Sequence, residues 1–181
     1  VRLLGAILAG GQSRRFGSDK AMADLGGRPM IVRVAEALAP FVEATVVCGH
    51  PAVPPGMVGV ADLPHPGLGP LGGLAGALHH AAGHGFEAVL SVGCDTPVLD
   101  PDLLSRLRDS EAGCFVADAP IIGRWPASLA AALLAHLAGP GSRAVRGWAE
   151  AVGATPIATL RPVPNVNTPA DLDRLLPLPR S

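Results

Sequence analysis

The sequence predicts an α/β fold on a mostly parallel central sheet, and three observations predict it. Apolar runs of strand length alternate with helical patterns along the chain, the order that parallel strands joined by crossover helices require. The strongest runs, Arg2–Ala9 and Glu87–Cys94, are nearly continuous in apolar residues, as in strands covered on both faces. With 181 residues, 49% hydrophobic and 16% charged, the chain can bury its own core, and residues 1–181 are expected to form a single domain.

The elements follow in order. Arg2–Ala9 reads as the first buried strand, Pro29–Pro40 as a helix with proline in its first turn, and Ala44–Cys48 as the second strand. A short strand at Met57–Val60 leads through a Gly/Pro loop to a helix from Pro70 to Ala82, and then to Glu87–Cys94. Asp100 and Pro101 supply an N-cap and a first-turn proline for a helix through Arg108. Gly113–Ala117 and Ile121–Trp125 read as strands, Ser128–Leu137 and Ser142–Val152 as helices. Thr168-Pro169-Ala170-Asp171 opens a last helix that ends near Leu176.

Composition excludes several classes of function. A net charge of −1 without a basic run, and six aromatics with no Tyr, leave neither the electrostatic footprint nor the stacking platform of a nucleic-acid binder. No stretch approaches the roughly 18 apolar residues of a membrane span; the early run Leu3–Ala9 leads into an Arg-containing glycine loop and is expected to be a strand, not a signal peptide. Cys48, Cys94 and Cys114 are too few and scattered for a disulfide framework and form no CxxC pair, so a reducing, cytoplasmic setting fits. His80 and His84 lie one helical turn apart but lack the zincin Glu, and no GxSxG elbow is present.

The chemistry concentrates in four segments. Leu8-Ala9-Gly10-Gly11-Gln12-Ser13-Arg14-Arg15-Phe16-Gly17-Ser18-Asp19-Lys20 directly follows the first strand. Consecutive glycines can turn successive N–H groups inward as an anion nest, with Arg15 and Lys20 as mobile cations for a triphosphate. The spacing is not that of a Walker A loop, and the same residues also fit a tight turn with solvated Arg and Lys. Asp95, in Cys94-Asp95-Thr96-Pro97, ends the strongest strand, where open α/β sheets bind ligands. It can hold Mg²⁺ over triphosphate oxygens or simply cap the next turn. Asp62 precedes Gly67-Leu68-Gly69-Pro70-Leu71-Gly72-Gly73, where Pro66 and Pro70 argue against a dinucleotide fingerprint and leave a glycine-lined rim or an ordinary long turn. Asn165 and Asn167 alternate on one extended segment and so share a face.

Together, LAGGxSxRxGxDK at 8–20, the Asp62 to Gly73 stretch, CDTP at 94–97 and NVNTPxDL at 165–172 resemble the MobA-type molybdenum cofactor guanylyltransferases, in order and over nearly the whole chain. The first motif alone would indicate only the wider nucleotidyltransferase superfamily. The resemblance implies a three-layer Rossmann-like nucleotidyltransferase fold with GTP over the glycine loop, Leu8, Ala9, Gly10, Gly11, Lys20 and Asp62 on the nucleotide, and Asp95 as nucleotide contact and Mg²⁺ ligand. Arg15, Lys20 and Asp95 would be catalytic, and Asn165 and Asn167 would lie near the acceptor, molybdopterin or Mo-molybdopterin. Gly10-Gly11 favours guanine, because cytidylyl relatives carry LAAG there. The resemblance further implies docking to molybdenum cofactor biosynthesis proteins and apo-molybdoenzymes. Two departures stand out: Cys48-Gly49-His50 occupies the place where some relatives have Asn, and Ala170 replaces a common Glu. A cytidylyl- or sugar-phosphate transferase, and a GTP-binding delivery protein without chemistry, remain the alternatives.

Overall fold

The computed structural model describes residues 1–10 and 19–175. The described strands are β1 (Leu3–Leu8), β2 (Ala44–Cys48), β3 (Val58–Val60), β4 (Ala88–Gly93), β5 (Cys114–Val116), β6 (Ala119–Pro126) and β7 (Thr155–Ile157). The helices are α1 (Met30–Leu38), α2 (Pro70–Gly83), α3 (Pro101–Arg108), α4 (Ala130–Ala138), α5 (Val145–Ala151) and α6 (Pro169–Leu175). The strands form one seven-stranded sheet in the order β3-β2-β1-β4-β6-β5-β7. β1 pairs in parallel with both β2 and β4, and β3 pairs in parallel with β2. Only β6 runs against its neighbours.

The continuous apolar character of β1 is explained by its two faces. Leu4, Ala6 and Leu8 join one core with α2, α4 and α5, while Ile7 and Ala9 join the other with α1 and α3. Helix, sheet and helix layers follow, the three-layer Rossmann-like arrangement expected from the resemblance. A small third cluster, Met30 and Val166 with Ala23, Leu172 and Leu175, fastens the C-terminal segment against the start of α1.

Several elements depart from the sequence reading for local reasons. β7, with Pro156 at its centre, was not expected; it is an edge strand of three residues, the place where a sheet tolerates proline. The first residues of the expected helix at 128–137 form a 3-10 turn, Ala127–Leu129, before α4 begins. The helix expected from Ser142 starts at Val145, because the Ser142 hydroxyl accepts from the Ala144 N–H (3.1 Å) and closes a local turn instead. α3 matches its reading in full: the Asp100 carboxylate caps the Asp102 N–H at 3.0 Å and Pro101 fills the first position. The His80 and His84 rings stack at 4.0 Å at the end of α2. Among the described residues no cluster of metal-ligating side chains occurs, and no helix is long and apolar enough to cross a membrane.

α2 lies close against the end of β3 because Gly76 has no side chain: a methyl there would run into the Ala61 carbonyl. That carbonyl immediately precedes Asp62 and cannot retreat without moving it. Gly76→Ala would add about 1 kcal/mol of helix propensity but cost more through overpacking against backbone. We expect a net loss of about 1–2 kcal/mol in a urea unfolding titration.

Candidate functional site

The order of the sheet fixes where a site can form. The chain runs outward from β1 through β2 to β3, then returns to the other side of β1 with β4. This reversal opens a crevice at the C-terminal ends of β1 and β4, the place where open parallel sheets take their ligands. The segments that the sequence singles out arrive there. The Leu8 carbonyl accepts from the Cys94 N–H (3.2 Å), the Ala9 N–H donates to the Cys48 carbonyl (3.0 Å), and the Gly49 N–H donates to the Val60 carbonyl (3.1 Å). The ends of β1, β2, β3 and β4 are thus laced together beyond the regular ladders.

Lys20 is the chain's only lysine, and it stands on this edge in a 3-10 turn, Lys20–Met22. Its Nζ donates to Asp95 Oδ2 at 3.0 Å and to Asn167 Oδ1 at 3.2 Å. Residues from the first, middle and last parts of the chain therefore meet on one ammonium. The pair is largely shielded, with 15% and 24% of the two side chains exposed. The remaining Asp95 oxygen, Oδ1, takes the Thr96 hydroxyl at 3.3 Å. Behind it, the Val166 N–H donates to the Asp95 carbonyl at 2.8 Å and Val166 is buried, so the segment that carries Asn167 is tied to the residue it faces.

Asn167 is held from the other side as well. Asp171 Oδ2 accepts from the Asn167 and Thr168 N–H groups at 2.9 and 2.8 Å, while the Thr168 hydroxyl accepts from the Asp171 N–H at 3.3 Å. This is a capping box at the start of α6, and these donors, the Asn167 N–H foremost, hold the Asp171 carboxyl below its usual range. Ala170 at the neighbouring position takes no part in these bonds. Asn165 is exposed, and of the two amides Asn167 is the one that bonds the lysine.

Asp62 follows β3 and sits in a pocket of glycines. A methyl built on Gly49 would lie 2.6 Å from its Oδ1, and one on Gly10 would lie 3.3 Å from its Oδ2. Methyls built on Gly72 and Gly73, in the first turn of α2, would lie 3.5 Å from Oδ2 and 3.4 Å from Oδ1. Gly49 also has a φ of 72°, which suits glycine alone. Asp62 Oδ1 is out of water and has no hydrogen-bond partner among the described residues. Burial accordingly raises the Asp62 pKa.

Leu8 and Ala9 turn their side chains into the two cores, so only their backbone can reach the crevice. Gly10 is exposed beside Asp62. Gly11 and Arg15 lie outside the described residues. Two of the cysteines are held as thiols: burial first, then the Asp62 charge, pushes Cys48 up to about 12, and burial with Asp95 pushes Cys94 up to about 12. Sequence reasoning missed Gly49 as the close neighbour of Asp62, and His50, whose Nε2 meets Asp19 Oδ2 at 2.8 Å; their position in the departure Cys48-Gly49-His50 was the available signal.

A cation and a strand-end carboxylate thus face each other across the switch point, and this chain is a nucleotidyltransferase. It belongs to the MobA-like NTP transferase family, whose domain model matches residues 5–155. It is 39% identical over 183 residues to a molybdenum cofactor guanylyltransferase of Rhodobacter capsulatus, covering 96% of this chain and 95% of that one. A molybdopterin-guanine dinucleotide biosynthesis protein A from Archaeoglobus fulgidus has a similar fold, with a TM-score of 0.67 at 24% identity over 94% of this chain and 95% of that one. So does a 2-C-methyl-D-erythritol 4-phosphate cytidylyltransferase from Thermus thermophilus, with a TM-score of 0.69 at 17% identity over 96% of each chain.

The orphaned Asp62 oxygen has a measurable cost. Its raised pKa means that the folded chain holds this proton more tightly than the unfolded chain; the stability this confers is full below the ordinary carboxylate pKa and is lost as pH rises through the raised value. Asp62→Asn removes the charge and keeps the shape. We expect a higher thermal midpoint than the parent at pH 7–8, with the gap closing as the pH is lowered toward the carboxylate range.

Proposed function

We propose that the chain transfers GMP from GTP to the terminal phosphate of molybdopterin, releasing pyrophosphate and leaving a guanine dinucleotide form of the cofactor. The observation that carries this reading is the meeting of Lys20, Asp95 and Asn167 at the mouth of β1 and β4. The likeness to curated guanylyltransferases at 39–40% identity supports the choice of nucleotide and acceptor.

The donor set suits Mg²⁺. This ion takes one or two carboxylates and completes its shell with water and substrate phosphates; Asp95 supplies a partly exposed carboxylate, and no larger ligand cluster occurs among the described residues. Bound on Asp95, Mg²⁺ would neutralise charge on the triphosphate oxygens. The chain's own contribution is positioning and electrostatics. Gly10 and Gly11 let the backbone approach the nucleotide, Leu8 and Ala9 present peptide groups, and Asp62 accepts from its N–H donors. Lys20 and Arg15 bring positive charge to the phosphates. Asn167, with Asn165 beside it, faces the acceptor. A phosphate nucleophile is already an anion, so no general base is needed for its attack on the α-phosphorus.

Residues 1–181 act as one unit in this reading, in the cytoplasm, where three unpaired cysteines stay reduced. Product would pass to molybdenum cofactor biosynthesis proteins or apo-molybdoenzymes.

The test is pyrophosphate release from GTP, Mg²⁺ and molybdopterin. Asp95→Ala should lower turnover by on the order of 10²–10³-fold, several kcal/mol of transition-state stabilisation. Near-normal turnover of that variant would remove Asp95 from the mechanism. CTP or UTP outcompeting GTP would favour a cytidylyl- or sugar-phosphate transferase, and GTP binding without pyrophosphate release would favour a delivery protein.

A further inference from the structure

We infer that His50, the second residue after β2, is a positioning residue for Lys20, acting through Asp19 at the stem of the glycine loop. This rests on the reading of Lys20 as the phosphate-facing cation, and it assigns a function to the segment where the chain departs from relatives with Asn.

The His50 side chain is 9% exposed, whereas the Asp19 carboxylate it meets is 48% exposed. Nε2 lies 3.0 and 2.8 Å from the two Asp19 oxygens. Facing a carboxylate on both, Nε2 must carry a proton and donate. The other ring nitrogen is provided for in either charge state: Nδ1 lies 3.1 Å from the Ala52 N–H, which it can accept, and 3.0 Å from the Ala52 carbonyl, to which it can donate. The imidazole is therefore fixed in place whether it is neutral or cationic.

Asp19 passes this constraint on. Its Oδ1 accepts from the Ala21 N–H at 3.2 Å and caps the turn Lys20–Met22. The next residue is Lys20, whose Nζ must span to Asp95 Oδ2 and Asn167 Oδ1. A lysine stem has four rotatable bonds and costs entropy to hold. Anchoring the backbone one residue earlier on a buried ring narrows the region its ammonium can sample. β2 thereby contributes to the crevice a group that orients the cation rather than one that touches the nucleotide.

Because Lys20 is the only lysine, its amine can be followed without ligand, by reductive methylation of the full-length chain with peptide mass spectrometry to separate it from the N-terminus. Loss of the anchor in His50→Ala should raise the Lys20 methylation rate about fivefold, and Asp19→Ala should do the same. The double variant should be no faster than either single one, as members of one relay are not additive. His50→Gln, whose amide N–H can reach the carboxylate in place of Nε2, should stay within about twofold of the parent. In the transfer assay His50→Ala should raise KM for GTP about tenfold with kcat lowered less than about threefold, the pattern of weakened binding. Parental Lys20 reactivity in His50→Ala, or additive rates in the double variant, overturns the proposal. Should His50→Ala not fold, parental reactivity in Asp19→Ala, which breaks the same pair from its exposed side, overturns it equally. If the parent releases no pyrophosphate, the guanylyl reading falls while the methylation rates still decide the role of His50.

Discussion

The parallel pairing of β1 with strands on both flanks is the constraint from which the site follows. A strand buried on two faces and bonded on two edges has no polar surface along its length. Every group that meets water or ligand is driven to its ends. At the C-terminal end, β2, β3 and β4 terminate close to β1, and loop backbone extends the ladders by one residue on each. A carboxylate placed after β4 and a lysine that follows the β1 loop then face one another across the crevice. Their largely shielded pairing holds two opposite charges at the crevice without either being stranded.

Asp62 shows what the same edge costs. Four glycines from three segments surround its carboxylate, and none supplies a hydrogen bond to Oδ1. A desolvated acceptor left open in the folded chain lowers stability, so its retention calls for a donor that arrives from outside. On the proposed function, nucleotide N–H groups are donors of that kind. The glycines make the same point from the opposite side: at Gly49 a side chain would close the approach to Asp62 and would also force a residue into the left-handed region.

The layers, the switch point and most elements were legible in the sequence, because burial on both faces writes continuous apolar strands and caps write helix starts. α3 is the clearest case, where Asp100 and Pro101 determine the first turn by local bonding alone. The elements misread are those set by distant partners. β7 exists because Cys114–Val116 offers it an edge, and Thr155-Pro156-Ile157 carries no local sign of that. Lys20, Asp95 and Asn167 could each be picked out as chemistry-bearing residues, but their convergence depends on Val166 docking behind Asp95, a contact between segments about seventy residues apart. The His50–Asp19 contact was illegible for a similar reason: Asp19 comes from another loop and the ring is nearly buried.

The sheet is shared with a cytidylyltransferase at 17% identity, so the fold alone does not set the base and the loops at its edge are where this chain can differ. Position 10 shows how one methyl group can matter there. The resemblance gives guanylyl enzymes Gly and cytidylyl enzymes Ala at this place. Here a Cβ on Gly10 would meet Asp62 Oδ2 at 3.3 Å and the Gly49 Cα at 3.6 Å, closer than an ordinary contact on the carboxylate side. The carboxylate would have to yield by a few tenths of an ångström, and Gly72 and Gly73 approach it from α2. A side chain at Gly10, the first glycine of the motif, would therefore bear directly on the Asp62 carboxylate. On the proposed function, a change at residue 10 would alter both the room for a base and the acceptor that faces it.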